Sequence, residues 1–254
     1  MNFNYSFIPT GRVDIGRKRP SNQDTIIMLP SIGFFAVSDG MGGLINGGET
    51  SQLIQTSLCE VMKNVSVKYG NNLSADKAKK VLVSEIESMA KQIADKGAEY
   101  GNGRFGATLC GVWLVSDKAI FFNIGDSRGY IFRSTNKNKN KKLVQVTKDQ
   151  NLAAYLVERG ELTKEEARNH PSSAQLLKYV GMTPPPSPVI STKKLISDCE
   201  LLLCSDGLYG MMPNAEIARL LVSDNGNKVD KLIDAANANG GKDNISVIHI
   251  VIKE

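Results

Sequence analysis

The chain has 254 residues, 41% of them hydrophobic and 22% charged, with a formal net charge of +5. That balance fits a globular protein built as one large domain or two small ones. It excludes a membrane-spanning helix, because no apolar run reaches the needed length, and it gives nucleic-acid binding little footing, because the basic residues are dispersed.

Met1 to Gly11 lacks the basic-then-apolar pattern of a secretory signal. Gly11–Gly16 and Thr25–Leu29 read as strands around a basic loop containing Arg17, Lys18 and Arg19. That cluster is either a solvated loop or an anion clamp. Arg19 suits a clamp, because a guanidinium fork matches two phosphate oxygens. Phe34–Ser38 is an unbroken apolar run, read as a strand buried on both faces. Gly47–Lys68 and the stretch from Ser74 to about Lys96 carry apolar residues at helical spacing, with Ser74 as an N-cap.

From Thr108 the chain alternates like strands: Thr108–Leu114, Ala119–Ile124, Tyr130–Arg133 and Leu143–Val146. Asn136–Lys142 between them reads as a solvated hairpin tip. Gln150–Leu177 reads as mostly helical, broken at Gly160 and Pro171. Gly181–Pro188 holds four prolines and is a loop. Val189–Thr192 and Glu200–Cys204 are strands, Asn214–Ser223 and Lys228–Asn237 helices, and Asn244–Lys253 the last strand. His249 reads as a packed strand residue rather than a ligand. Without βαβ alternation, the order points to an α+β fold of antiparallel sheets flanked by helices, in a single domain spanning 1–254. The four cysteines, Cys59, Cys110, Cys199 and Cys204, form no Cys-x-x-Cys pair. Their usage fits a reducing compartment, so the cytoplasm is expected.

The apolar run from Phe34 breaks at Asp39, and Gly40, Gly42 and Gly43 follow. A carboxylate at the mouth of a buried strand is costly unless paired or metal-bound. The pattern returns at Leu201–Gly207 with Asp206, at Phe121–Gly129 with Asp126, and before the last strand with Asp243. Each aspartate alone reads as a turn residue. The matching contexts of Asp39 and Asp206 favour an oxygen-only cage, which suits Mg2+ or Mn2+ and suits zinc poorly.

The stretches Arg19–Asp24, Val37–Gly43, Gly106–Leu109, Gly125–Arg128, Cys204–Leu208 and Gly241–Asn244 together resemble the bacterial branch of the metal-dependent protein phosphatase 2C family. They run in family order over nearly the whole chain. The resemblance implies a four-layer αββα sandwich of two antiparallel sheets flanked by helix pairs. It also implies hydrolysis of phosphoserine and phosphothreonine in proteins. By that resemblance Asp39 would bridge two Mn2+ or Mg2+ ions, with the Gly40 carbonyl on one and Asp206 and Asp243 on the other. Asp24 would act through water, Asp126 would share a weaker third ion with Asp206, and Arg19 would grip the substrate phosphate. Residues of about 150–179 would form a flap. A monomer is expected, with phosphoproteins and a cognate serine/threonine kinase as partners and neither nucleic acid nor membrane.

The chain departs from the family pattern in places. Leu44-Ile45-Asn46 stand where many members have a His after the glycine pair, and Met41 follows Asp39-Gly40. Thr147-Lys148-Asp149-Gln150 replaces Thr-x-Asp-His, and Ser172 follows His170-Pro171. No proposed ligand is lost. The chemistry expected is in-line attack by a metal-bridging hydroxide, with a metal-bound water protonating the leaving alkoxide. No cysteine sits in a phosphate-binding loop, which excludes a cysteinyl-phosphate route. Two rivals stand beside this reading: a phosphoprotein-binding module on the same fold, and an esterase for small phosphate esters.

Overall fold

The computed structural model describes residues 5–41, 47–70, 73–99, 105–134, 141–196, 199–222 and 226–253. The features expected at Gly42–Asn46 and at 136–140 lie outside them. One sheet contains β1 (Ser6–Asp14), β6 (Arg128–Ser134), β7 (Lys141–Gln145), β9 (Glu200–Cys204) and β10 (Ile245–Lys253), in the order β1-β10-β9-β6-β7. The other contains β2 (Asp24–Leu29), β3 (Phe34–Asp39), β4 (Leu109–Val115), β5 (Lys118–Ile124) and β8 (Val189–Lys194), in the order β2-β3-β4-β5-β8. All the neighbouring strands pair antiparallel.

Period-two alternation explains why the central strands are apolar throughout. In β3, Phe35 and Val37 face the second sheet, while Phe34 and Ala36 face the helices α1 (Gly47–Tyr69) and α2 (Ala75–Ala98). Likewise Leu201 and Leu203 of β9 enter the core between the sheets. Leu202 and Cys204 face α6 (Asn214–Val222) and α7 (Lys228–Ala238). The four layers are therefore helix pair, sheet, sheet, helix pair, as the family resemblance implied. In α1, Ile54, Leu58 and Met62 recur every four residues and are fully buried. In α2, Leu82, Ile86, Met89 and Ile93 do the same work, and Ser74 caps the helix by accepting from Lys77 N at 3.4 Å.

Four local expectations need correction. The first strand starts at Ser6 and ends at Asp14, because all nine residues pair with β10. The 150–177 stretch is helical only in α3 (Leu152–Glu158), α4 (Lys164–Asn169) and a 3-10 turn at Pro171–Ala174. Asn151 and Thr163 each start a new helix there, so the stretch is divided by its caps. Asp206–Tyr209 forms a short helix, α5, that apolar periodicity does not reveal. Finally, Lys141 and Lys142 belong to β7 rather than a solvated tip, and Lys141 Nζ pairs with Glu200 Oε1 at 2.9 Å.

Candidate active site

The aspartates singled out in the sequence meet where strands of the two sheets end. Asp24 opens β2 and Asp39 closes β3, and the two stand opposite each other in the ladder. Thr108 pins the Asp39 backbone: its N–H donates to the Asp39 carbonyl at 2.8 Å, and its Oγ1 accepts the Asp39 N–H at 3.1 Å. The next residue has to be glycine. A Cβ on Gly40 would fall 2.4 Å from the Gly47 carbonyl oxygen and 2.7 Å from that of Gln23.

Asp206 arrives from the other sheet, at the end of β9. Gly207 lets the chain pass close to β10, since a Cβ there would lie 1.9 Å from the Asn244 carbonyl oxygen. Two serines tie the sheets together at this point. Ser205 Oγ and Ser246 Oγ donate to Asp24 Oδ2 at 2.8 and 2.7 Å. Asp243 sits at the rim, where its Oδ2 pairs with Arg19 Nη2 at 2.7 Å. Asn244 beside it holds the basic loop in place, donating to the carbonyls of Ile15 and Ser21 and accepting from Gln23 N. Asp126 is buried at the start of β6, with its Oδ2 accepting from Asn151 Nδ2 at 3.0 Å. Arg128 does not pair with it. That guanidinium bonds to both oxygens of Asp149 and stacks 3.5 Å from the centre of the Tyr209 ring. The Tyr209 hydroxyl in turn donates to the Asp126 carbonyl at 3.0 Å.

Crowded buried carboxylates resist ionisation. Burial and then the charge of Asp24, Asp206, Asp243 and Asp126 raise the Asp39 pKa well above its ordinary value. Burial is also the main cause for Asp24 and Asp206, each pushed up to about 6, and for Asp126, pushed up to about 7. Asp24 Oδ1 and Asp206 Oδ1 are buried with no hydrogen-bond partner. Among the described residues, no three His, Cys, Asp or Glu side chains form a closed ligand cluster. The fit to a cation rests instead on the mutual repulsion of the carboxylates and on those two unpartnered oxygens. An all-oxygen set of this charge matches a hard divalent cation.

Every site residue expected from the sequence is present in this region. The supporting residues Thr108, Ser205, Ser246, Asn244, Asn151 and Tyr209 were not singled out. Only the Thr108, Ser205 and Asn244 positions carried a signal, as members of the stretches that carry the family resemblance. Burial raises the Cys204 thiol to about 12 and the Cys110 thiol well above its ordinary value, which leaves neither as a nucleophile.

The Protein phosphatase 2C family model matches residues 14–243. Serine/threonine phosphatase stp of Listeria welshimeri serovar 6b is 32% identical over 243 residues, covering 93% of this chain and 92% of the relative. The crystal structure of the serine/threonine phosphatase Stp1 from Staphylococcus aureus superimposes with a TM-score of 0.86 at 27% identity, covering 100% of this chain and 98% of that one. The catalytic domain of the phosphatase PstP in complex with two manganese ions superimposes with a TM-score of 0.81 at 25% identity, covering 99% of this chain and 100% of that one.

Proposed function

Because this chain belongs to the protein phosphatase 2C family and is a protein-serine/threonine phosphatase, we propose that it hydrolyses phosphoserine and phosphothreonine with two Mn2+ or Mg2+ ions. Asp39 and the Gly40 carbonyl would hold one ion, and Asp39, Asp206 and Asp243 the other. Asp24 would act through water, and Asp126 with Asp206 would take a weaker third ion. The observation that carries this reading is the pair of buried, unpartnered oxygens, Asp24 Oδ1 and Asp206 Oδ1, inside the cluster of carboxylates. PstP, which is similar throughout its chain, is described with two manganese ions.

When bound, the ions supply Lewis acidity that activates water for attack on phosphorus and offsets charge on the phosphoryl oxygens. The chain's own residues do the rest. Arg19 uses one nitrogen on Asp243 and keeps the other N–H donors of its fork for the substrate phosphate. Ser205 and Ser246 fix the Asp24 carboxylate, and Thr108 fixes Asp39. His249 is held by Glu200, and His170 Nδ1 accepts from Ser172 N. With both histidines placed there, water is left to protonate the departing alkoxide.

Residues of about 150–179 form a flap beside the site within one catalytic domain. The enzyme acts as a cytoplasmic monomer opposite a serine/threonine kinase. The four cysteines are free, and among the described residues no helix is long and apolar enough to cross a membrane. The test is phosphate release from a phosphothreonine peptide and from a free sugar phosphate, with Mn2+ and then with chelator. Turnover of the peptide alone, lost in chelator, is expected. Preference for the sugar phosphate would favour the small-ester reading, and full activity in chelator would remove the cations from the account.

A further inference from the structure

The basic loop over 15–21 is locked onto the loop that carries Asp243. Arg17 N donates to the Gly241 carbonyl at 2.7 Å. Gly16 lies so close that a Cβ there would fall 2.2 Å from the Asp243 carbonyl oxygen. Asn244 Nδ2 donates to the carbonyls of Ile15 and Ser21 at 2.9 and 3.0 Å, which fixes the loop at both ends. The contact gathers Arg17, Lys18 and Lys242, all exposed, around the Arg19–Asp243 pair. Among the described residues, none of these three side chains forms an ion pair. Arg12, on the strand leading into the loop, is by contrast tied to both Asp14 and Asp230. Three like charges held on two interlocked loops repel one another and attract an anion from outside.

We propose that Arg17, Lys18 and Lys242 form a rim that selects phosphorylated segments carrying Asp or Glu within about three residues of the phosphorylated one. This rests on the phosphatase reading and on Arg19 holding the phosphate. Arg17 lies two residues before Arg19, and Lys242 directly precedes Asp243. An extended segment advances at most about 3.5 Å per residue, so flanking carboxylates reach the rim while the phosphate stays on Arg19. Exposed ion pairs are individually weak and are screened by salt. They form as soon as substrate binds, so the rim acts on KM and sets preference among substrates, with little effect on the chemical step.

The test compares two phosphothreonine peptides that differ only in their flanking residues, glutamate in one and glutamine in the other. Both are assayed with Mn2+ at low salt and at about 1 M salt. The unsubstituted chain should show a KM about tenfold lower for the glutamate peptide at low salt, with similar kcat, and the ratio should shrink towards one at high salt. The combined variant Arg17→Gln, Lys18→Gln, Lys242→Gln should lose the ratio. Each ratio is taken within one preparation, so any loss of folded protein cancels. A second variant, Lys142→Gln, Lys193→Gln, Lys194→Gln, removes the same charge at strand ends away from the aspartates and should keep the ratio. Equal KM for the two peptides, a ratio unmoved by salt, one that survives the rim substitutions, or one that the distant substitutions also abolish would overturn the rim and leave the phosphatase reading standing. Turnover of neither peptide would remove the phosphatase reading, and the rim with it.

Discussion

Arg19 shares its partner with the chemistry assigned to it. Its guanidinium bonds to Asp243 at 2.7 Å, and both side chains are about one-third exposed, at 36% and 31%. An exposed pair of this kind adds little to stability, so Arg19→Ala should leave the fold intact. A bidentate phosphate contact exists in the ground state as well as the transition state. Kinetics with a phosphothreonine peptide should therefore show KM rising about tenfold, with a smaller fall in kcat. An unchanged KM would pass the grip to Arg17 or Lys18. Asp39, Asp126 and Asp206 were legible because each stands near the end of an apolar run, where a charge needs a reason, and Asp243 because it precedes one; Asp24 came only from the family resemblance. The roles of Ser205, Ser246 and Asn244 were not legible, because they depend on β9, β10 and the loop before β2 meeting, which no local spacing encodes.

Among the elements, β9 carries the least expected feature. Glu200 starts this buried strand and gathers Lys141, Lys228 and His249 from β7, α7 and β10. Burial works to raise its pKa, but the hydrogen bonds from His249, Lys228 and Lys141 outweigh it and hold the carboxyl at about 2. A depressed carboxyl stabilises the fold fully above its ordinary value and loses that contribution as pH falls towards 2. Glu200→Gln should then cost about 3 kcal/mol at neutral pH, because a buried pair is broken. The gap in thermal midpoint between the two proteins should narrow between pH 4.5 and pH 2. A gap that stays constant with pH would show the network to be incidental. The sequence showed β9 as a strand over Glu200–Cys204. It gave no sign that Glu200 meets two lysines and a histidine, since those come from three distant elements. The 150–179 stretch was legible only as interrupted helix, because its returning segment has only isolated bridges, Leu176 to Asn151 and Val180 to Ala107.

At the scale of the whole molecule, the order of strands and helices showed antiparallel sheets flanked by helices, and the family resemblance implied the four layers. The site lies where the two sheets present their strand ends, and its charge opposes folding. Carboxyls raised to about 6 or 7 cost the fold stability as pH rises from the ordinary carboxylate range through those values. A divalent cation bound only by the folded chain offsets that cost. Mn2+ should therefore raise the thermal midpoint most above pH 7 and progressively less as pH falls below about 6. An increment independent of pH would mean that the ions bind away from these carboxylates.

The most direct test of the central claim, that Asp39 organises the hydrolytic cations, is calorimetric Mn2+ titration of Asp39→Asn beside its turnover of a phosphothreonine peptide. The substitution is nearly isosteric and relieves repulsion among the buried carboxylates, so the variant should be folded and at least as heat-stable as the unsubstituted chain without cations. It should lose tight Mn2+ binding and fall to background turnover. A folded Asp39→Asn protein that binds Mn2+ tightly, or that releases phosphate at the unsubstituted rate, would contradict the account.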